Sequence, residues 1–158
     1  MANKFIQWFK SLLIPRDKYI HLMHYELFKE LNAHQRKLVA DLLHTREFKA
    51  GESVFEKDYP LEVIYFIESG EMELTPLFRE EGPVVLGKHQ FVGVLDFFGG
   101  KKRLCSARAI TDLSLKALSE NDLQELLNRD PLLGVKILRA CCSFLSNYIR
   151  DHAHLHRS

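Results

Sequence analysis

The spacing of hydrophobic residues changes twice along this chain of 158 residues, and this change constrains the fold more than any other feature. Up to His44, apolar residues recur every three or four positions, which is typical of helices. From Thr45 to about Leu118, short apolar or alternating runs are separated by turns, which is typical of strands. Helical spacing returns at Ser119. The pattern predicts an α+β, mainly β fold, in which a sandwich, jelly roll or small barrel of about eight strands lies between helices.

Three helical segments are predicted before the strands. Residues 4–14 place their apolar side chains on one face and end before Pro15. A second helix is predicted from about Lys18 to Lys29. The third is the clearest, because Asn32 and Gln35 have the spacing of a capping box.

Two strands and two further helices are also well marked. Residues 63–67 are β-branched and aromatic, as in a buried strand, and residues 113–118 alternate between apolar and polar side chains. Shorter strands are predicted near residues 46–52, 54–55, 72–74 and 84–86. Ser119 is a predicted N-cap. Asp130-Pro131 is a start signal for a final helix, which is predicted to continue to about Arg150.

Composition excludes several classes of protein. Hydrophobic residues make up 46% of the chain and charged residues 27%, which excludes global disorder. The net charge of +1 gives no reason to propose binding to nucleic acid or to an anionic membrane. We expect no transmembrane segment, because no stretch approaches about 18 consecutive apolar residues. Cys105, Cys141 and Cys142 suit neither a disulfide framework nor a four-thiolate metal site, so we expect reduced thiols and a cytoplasmic location.

The segment from Gly87 to Asp112 combines glycine turns with concentrated positive charge. It contains Gly93, the run Lys101-Lys102-Arg103, and Arg108. A glycine turn, a short helix and an arginine can cradle a small anion, because backbone N–H groups and a guanidinium both donate hydrogen bonds to its oxygens. Spacing alone leaves a second interpretation open, which is a solvated basic loop between strands.

Three stretches, at residues 27–58, 64–74 and 86–127, carry patterns that occur together in one family. The second stretch reads IYFIESGEMEL, and the third contains FVGVLDFF followed by a basic run and small residues. In this order they resemble the cyclic nucleotide-binding domain, the β-roll of bacterial regulators, protein kinase regulatory subunits and gated channels. Family positions are occupied by Gly51, Gly70, Gly93, Arg103, Ala109 and Asp112. The resemblance extends from about Leu27 to Ile149.

The resemblance implies a division of the chain into three parts. Residues 1–26 would be a helical extension, and residues 27–130 would be the antiparallel β-roll with its entry and exit helices. Residues 131–158 would form a long C-terminal helix and a frayed tail. Together these parts imply a regulatory module with no cofactor, for which cAMP or cGMP is the expected ligand.

The resemblance also implies a phosphate-binding cassette formed by Gly93, Val94, Leu95, Arg103, Leu104, Cys105 and Ser106. Arg103 occupies the place of the arginine that pairs with the cyclic phosphate. Val94 replaces a glutamate that accepts a hydrogen bond from the ribose, and an unpaired buried hydroxyl costs roughly 1–3 kcal/mol. Leu104 is larger than the usual residue, and Asp96 is too displaced along the short helix to replace the lost acceptor readily.

Two hypotheses follow for this cassette. In the first, the domain binds a cyclic nucleotide with lowered affinity, and Arg103→Ala abolishes binding without disturbing the fold. In the second, the pocket is degenerate and filled by Val94 and Leu104, and the domain acts as an adaptor through protein contacts.

Partner contacts are expected through the helices. The family's final helix often pairs with its twin, which suggests an interface of Ile137, Leu138, Cys141, Phe144, Leu145 and Tyr148; the alternative is that these residues pack on the roll. The first helix, with Phe5, Trp8 and Phe9, could contact the roll, a partner or a membrane surface. We expect no direct DNA binding, because no helix-turn-helix follows the final helix before Ser158.

The histidines are too scattered for the metal site of a cupin-type enzyme, and no motif places a catalytic constellation. We therefore expect neither a bound metal nor enzymatic activity.

Overall fold

The computed structural model describes residues 17–75, 82–97 and 102–152, with the exception of the side chains of Asp96 and His152. The elements are, in order, two 3-10 helices (Ile20–His24 and Glu26–Phe28), α1 (Ala33–Leu42), β1 (His44–Phe48), β2 (Ser53–Phe55), β3 (Val63–Ser69), β4 (Met72–Leu74), β5 (Val84–Leu86), β6 (Phe91–Val92), α2 (Val94–Phe97), β7 (Ala107–Ala109), β8 (Leu113–Ser119), α3 (Glu120–Arg129) and α4 (Pro131–His152). The helix predicted at residues 4–14, with Phe5, Trp8 and Phe9, lies outside the described residues.

Within the described residues, the strands form two antiparallel sheets of four strands each. Their orders are β1-β8-β3-β6 and β2-β7-β4-β5. The predicted fold class is therefore confirmed, a roll of eight strands between N-terminal and C-terminal helices. The two-residue strand β6 and the three-residue strand β7 had no separate signal in the sequence, because such short runs carry almost no periodicity.

Strand β3 separates two hydrophobic cores. Ile64 and Phe66 point towards the helices and pack in one cluster with Phe28 and Leu126. Ile67, from the opposite face of the strand, packs inside the roll with residues of β4, β7 and β8. Both faces are covered, which explains why this strand reads as a continuous apolar run rather than as an alternating one.

Three predicted helix starts are confirmed. Asn32 and Gln35 form a reciprocal capping box at α1. Ser119 caps α3 in the same way, with Asp122 as its partner. At α4 the Asp130 carboxylate accepts a hydrogen bond from the backbone N–H of Leu133 at 3.0 Å. Each cap satisfies a donor that the first helical turn leaves unpaired.

The single helix predicted at Lys18–Lys29 is wrong, because this stretch forms two 3-10 helices with Tyr25 between them. Tyr25 has extended backbone angles (φ −84°, ψ 127°) and is buried. Its hydroxyl donates a hydrogen bond to the Ile67 carbonyl at 2.9 Å. The buried tyrosine thus anchors the chain to β3, and this long-range contact outweighs the local helical spacing.

Candidate functional site

The predicted cassette begins at a glycine turn between β6 and α2. Gly93 has φ +112°, a conformation that side chains with a Cβ rarely adopt. A Cβ at this position would meet Nη1 of Arg103 at 3.0 Å and the Val63 carbonyl oxygen at 3.1 Å. Glycine therefore lets the cassette backbone approach both β3 and the Arg103 guanidinium.

Arg103 is buried, with only 3% of its surface exposed. Its Nη2 donates a hydrogen bond to the Val63 carbonyl at 2.8 Å. Its Cζ lies 4.1 Å from the centroid of the Phe55 ring and 5.5 Å from that of Tyr65. These two rings are parallel, with an interplanar angle of 3°. The guanidinium is thus held against the aromatic side chains of β2 and β3 by hydrogen bonding and cation–π attraction.

A cavity of about 460 Å³ lies between the cassette and the last helix. Leu86, Val92, Val94 and Leu104 contribute to its wall. Val94 is only 1% exposed, as the degenerate-pocket hypothesis expects, whereas Leu104 is 50% exposed and does not fill the space. Leu95 and Cys105 also line this cavity, so the structure brings four of the seven predicted cassette residues together there.

Arg103 lines a different cavity, of about 400 Å³, together with Phe55, Glu56 and Tyr65. Among the described residues that line the larger cavity, none is a lysine or an arginine. Arg103 and the apolar residues that follow Gly93 therefore line different cavities, although the guanidinium lies directly against Gly93. Sequence reasoning had placed all of them around one ligand.

The Ser106 hydroxyl is engaged with the β2 side of the roll. Its Oγ accepts a hydrogen bond from the Lys57 backbone N–H at 2.9 Å and donates one to the Glu56 carboxylate at 3.0 Å. Hydrogen bonds from Ser53 and Ser106 lower the pKa of Glu56 below its ordinary value. Ser106 therefore helps to hold a loop in place and does not line the larger cavity in this conformation.

The last helix divides the interface residues predicted from the sequence. Ile137 and Cys141 are buried in the core against the roll, and burial raises the pKa of the Cys141 thiol to about 11. Phe144, Leu145 and Tyr148 are half-buried, while Leu138 is exposed. The predicted set is therefore not a single free surface, because α4 uses one of its faces to cover the roll.

Phe144 and Tyr148 also line the larger cavity. The Phe144 ring lies 4.8 Å from the ring of Phe91, centroid to centroid. Phe144 and Tyr148, which lie one turn apart on α4, therefore both line the cavity, and Phe144 also packs on the sheet.

A second apolar stripe on α4 faces solvent, and of its residues only Leu138 was in the interface predicted from the sequence. Val135, Leu138, Cys142 and Ile149 are exposed, at successive spacings of three, four and seven residues. This is the spacing of the contact positions in a two-stranded coiled coil. The seven-residue repeat from Val135 through Cys142 to Ile149 is the signal that could have identified it.

Two histidines meet beside the cavity. His89 has φ +72°, and its ring lies 4.6 Å from the ring of His24. Its Nδ1 is buried and has no hydrogen-bond partner among the described residues. Burial lowers the pKa of His89, and the nearby His24, Lys88 and His21 lower it further. In the part of the chain that the structure describes, no group of three side chains suits a metal ion.

Helix α4 is long and apolar enough, by length and composition alone, to cross a bilayer. The core helix of a globular domain passes the same test. Leu133, Ile137 and Cys141 of α4 are buried in the core that the helices share with the roll, whereas 22% of the apolar segment as a whole is buried. A single helix of this kind is weak evidence for a membrane span.

Comparisons with known proteins agree with this architecture. The family model of the cyclic nucleotide-binding domain matches residues 45–130. The cAMP-dependent protein kinase regulatory subunit of Emericella nidulans is 31% identical over 101 residues, which are 64% of this chain and 24% of that protein. The chain spans about a quarter of the length of the curated relatives it matches.

Two solved structures show the same fold. The N-terminal domain of a transcriptional regulator from Streptomyces coelicolor is 24% identical, with a TM-score of 0.70 over 80% of this chain and 94% of that chain. A cyclic nucleotide-binding domain from Methylobacillus flagellatus is 18% identical, with a TM-score of 0.75 over 89% of this chain and 83% of that chain. The β-roll, its cassette turn and the sequence match together show that this chain belongs to the cyclic nucleotide-binding domain family.

Proposed function

We propose that this domain is a non-catalytic regulatory module, which senses a small ligand and passes its occupancy to a partner protein through the last helix. The proposed coupling between ligand and helix depends on one observation. Phe144 and Tyr148 of α4 line the same cavity as Val94 and Leu104 of the cassette. A ligand in this cavity would contact both elements, and its binding would favour the position of α4 in which those contacts are best made.

The relatives of this chain support a regulatory role. They include a protein named as a kinase regulatory subunit and a domain of a transcriptional regulator. We propose that residues 27–130 form the sensing unit and residues 131–158 the output unit, with residues 1–26 as a helical extension. A cytoplasmic location fits this role, since the exposed thiol of Cys142 suits a reducing compartment.

Cyclic nucleotides are the ligands that the family suggests, and we propose that cAMP or cGMP binds this domain only weakly. To reach a phosphate in the larger cavity, Arg103 would have to give up its hydrogen bond to Val63 and its contact with Phe55. Val94 also offers no acceptor to a ribose hydroxyl. The missing acceptor alone lowers affinity on the order of ten- to a hundredfold.

We propose that the partner contact is made by the exposed stripe of α4, consisting of Val135, Leu138, Cys142 and Ile149. Its coiled-coil spacing suits a second copy of the same helix, so we propose a parallel homodimer. A domain with a fully degenerate pocket would use the same stripe as an adaptor for a different protein.

Amide hydrogen exchange tests the proposed coupling. Exchange is measured for α4 with and without saturating cAMP or cGMP, after calorimetry has established occupancy. We expect bound ligand to slow exchange of the Phe144–Tyr148 segment by about tenfold or more, because the ligand holds this part of the helix on the roll. The matched control is α1, which lies on the same side of the roll and does not line the cavity. Bound ligand with unchanged exchange in α4 would contradict the proposal.

A further inference from the structure

We propose that the cavity beneath α4 binds an uncharged, mainly apolar small molecule in preference to a cyclic nucleotide. This inference rests on the proposed sensing function and names the ligand class for it. Its evidence is the chemistry of the cavity wall, the charge on that wall and the position of the cassette arginine.

The wall is mainly apolar, although His24, Glu26, Thr75, His89 and Gln90 also line it. Leu86 and Val92 come from the sheets, Leu95 and Leu104 from the cassette, and Phe144 from the last helix. The volume of about 460 Å³ lies within the range of pockets that bind small organic molecules. Such a wall offers dispersion contacts and apolar burial, which are the main sources of affinity for an uncharged apolar ligand.

The described wall offers no lysine or arginine to an anionic ligand. Glu26 also lines the cavity, but its exposed carboxylate forms an ion pair with Lys29 at 3.8 Å. A cyclic phosphate carries a negative charge, and moving an anion into an apolar site without a cation is strongly unfavourable. The cation that the family supplies, Arg103, lines the neighbouring cavity, where it is held by Val63 and Phe55.

The test uses N-phenyl-1-naphthylamine, a neutral apolar dye whose fluorescence rises in an apolar site. We expect saturable binding of one dye per chain, with a Kd of about 1–50 µM. Addition of about 10 µM cAMP should leave the signal unchanged, since we expect the Kd of the nucleotide to be weaker than about 100 µM.

Leu104→Arg places a charge on the cavity wall and should weaken dye binding by about tenfold or more. Leu104 is half-exposed, so the arginine can be accommodated without unfolding the domain. The matched control is Leu132→Arg, the same substitution at an exposed residue of α4 that lies outside both the cavity and the stripe. This control should leave the Kd within about twofold.

Three results would overturn the inference: no saturable dye binding, equal effects of Leu104→Arg and Leu132→Arg, or displacement of the dye by micromolar cAMP. The last result would leave the proposed sensing function intact and would restore the cyclic nucleotide as its ligand. Failure of the sensing function is a separate observation, namely bound ligand without any change in the hydrogen exchange of α4.

Discussion

The Cζ atom of Arg103 lies 4.1 Å from the centroid of the Phe55 ring, while Nη2 of the same guanidinium donates a hydrogen bond to the Val63 carbonyl. The residue that the family resemblance assigns to phosphate binding therefore joins β2 to β3 in this structure. An arginine with such contacts contributes to stability whether or not a ligand is present, and this makes its two roles separable by experiment.

Arg103→Ala should lower the free energy of unfolding by about 2–4 kcal/mol, because a charge-assisted hydrogen bond and a buried cation–π contact are lost together. The earlier expectation that this variant leaves the fold undisturbed is therefore revised. Urea denaturation measures the change. Arg108→Ala is the matched control, since Arg108 is exposed and donates one 3.2 Å bond to the Gly51 carbonyl. The control should lose less than about 1 kcal/mol. Equal stabilities of the two variants would show that the Arg103 contacts are not stabilising.

Gly70→Ala should destabilise the domain by at least about 2 kcal/mol more than Gly51→Ala. Both glycines have positive φ, +85° and +88° respectively, so both variants pay a similar backbone cost. An added Cβ at Gly70 would overlap the Asp112 carbonyl oxygen, whereas none of the described atoms lies within 4 Å of the same position at Gly51. Thermal or urea unfolding of the two variants makes the comparison. Similar stabilities would mean that the turn after β3 can shift away from Asp112.

Oxidation with copper phenanthroline should produce a disulfide-linked dimer through Cys142. This residue lies at the centre of the exposed stripe, and a parallel pair of α4 helices would place it opposite its own copy. The adjacent Cys141 is buried, and its thiol has a pKa raised to about 11, so it should not react.

Two variants serve as controls, and each replaces one of the two adjacent thiols with serine. Cys141→Ser should form the dimer as the parent chain does, and Cys142→Ser should not. Cross-linking on non-reducing gels reports both. If the folded Cys141→Ser variant remains monomeric after oxidation, the proposal of a parallel homodimer is wrong.

The stability of the domain should fall through His89 as the pH drops below about 6.5, the ordinary pKa of a histidine. Burial, with help from His24, Lys88 and His21, holds the pKa of His89 below its ordinary value. The unfolded chain therefore binds the proton more readily than the folded one. The stabilising contribution is complete above the unfolded pKa and is lost as the pH falls through the folded pKa.

His89→Gln should reduce this acid-side loss, as measured by urea unfolding across the same range of pH. His34→Gln is the control, because His34 is exposed on α1 and lies outside this cluster. A His89→Gln variant with the same pH dependence as the parent chain would show that another group titrates there.

Local signals in the sequence predicted much of the fold. Asn32, Ser119 and Asp130 act where capping chemistry places them, because the donors that they satisfy lie within three residues. The run at β3 was recognisable as a strand, since β-branched and aromatic residues suit a chain buried on both faces. The break at Tyr25 was not predictable in this way, because its cause is a hydrogen bond to Ile67, which lies 42 residues further along the chain.

The candidate site was predictable only in part. The glycine turn at Gly93 and the approach of Arg103 to it follow from the family pattern. The orientation of the guanidinium does not follow from that pattern. It depends on contacts with Phe55 and Val63, which lie far from Arg103 in the sequence. The same limit applies to α4, whose seven-residue repeats occur on several faces, so that periodicity alone could not show which face covers the roll.

The central claim is that this domain does not bind the cyclic phosphate strongly. Calorimetric titration of the folded domain with cAMP and cGMP tests this claim most directly. We predict Kd values weaker than about 100 µM for both nucleotides, because the described residues of the cavity wall include no arginine and Val94 supplies no acceptor. A Kd of about 1 µM or below for either nucleotide would contradict the account, and it would mean that Arg103 leaves Phe55 to bind the phosphate.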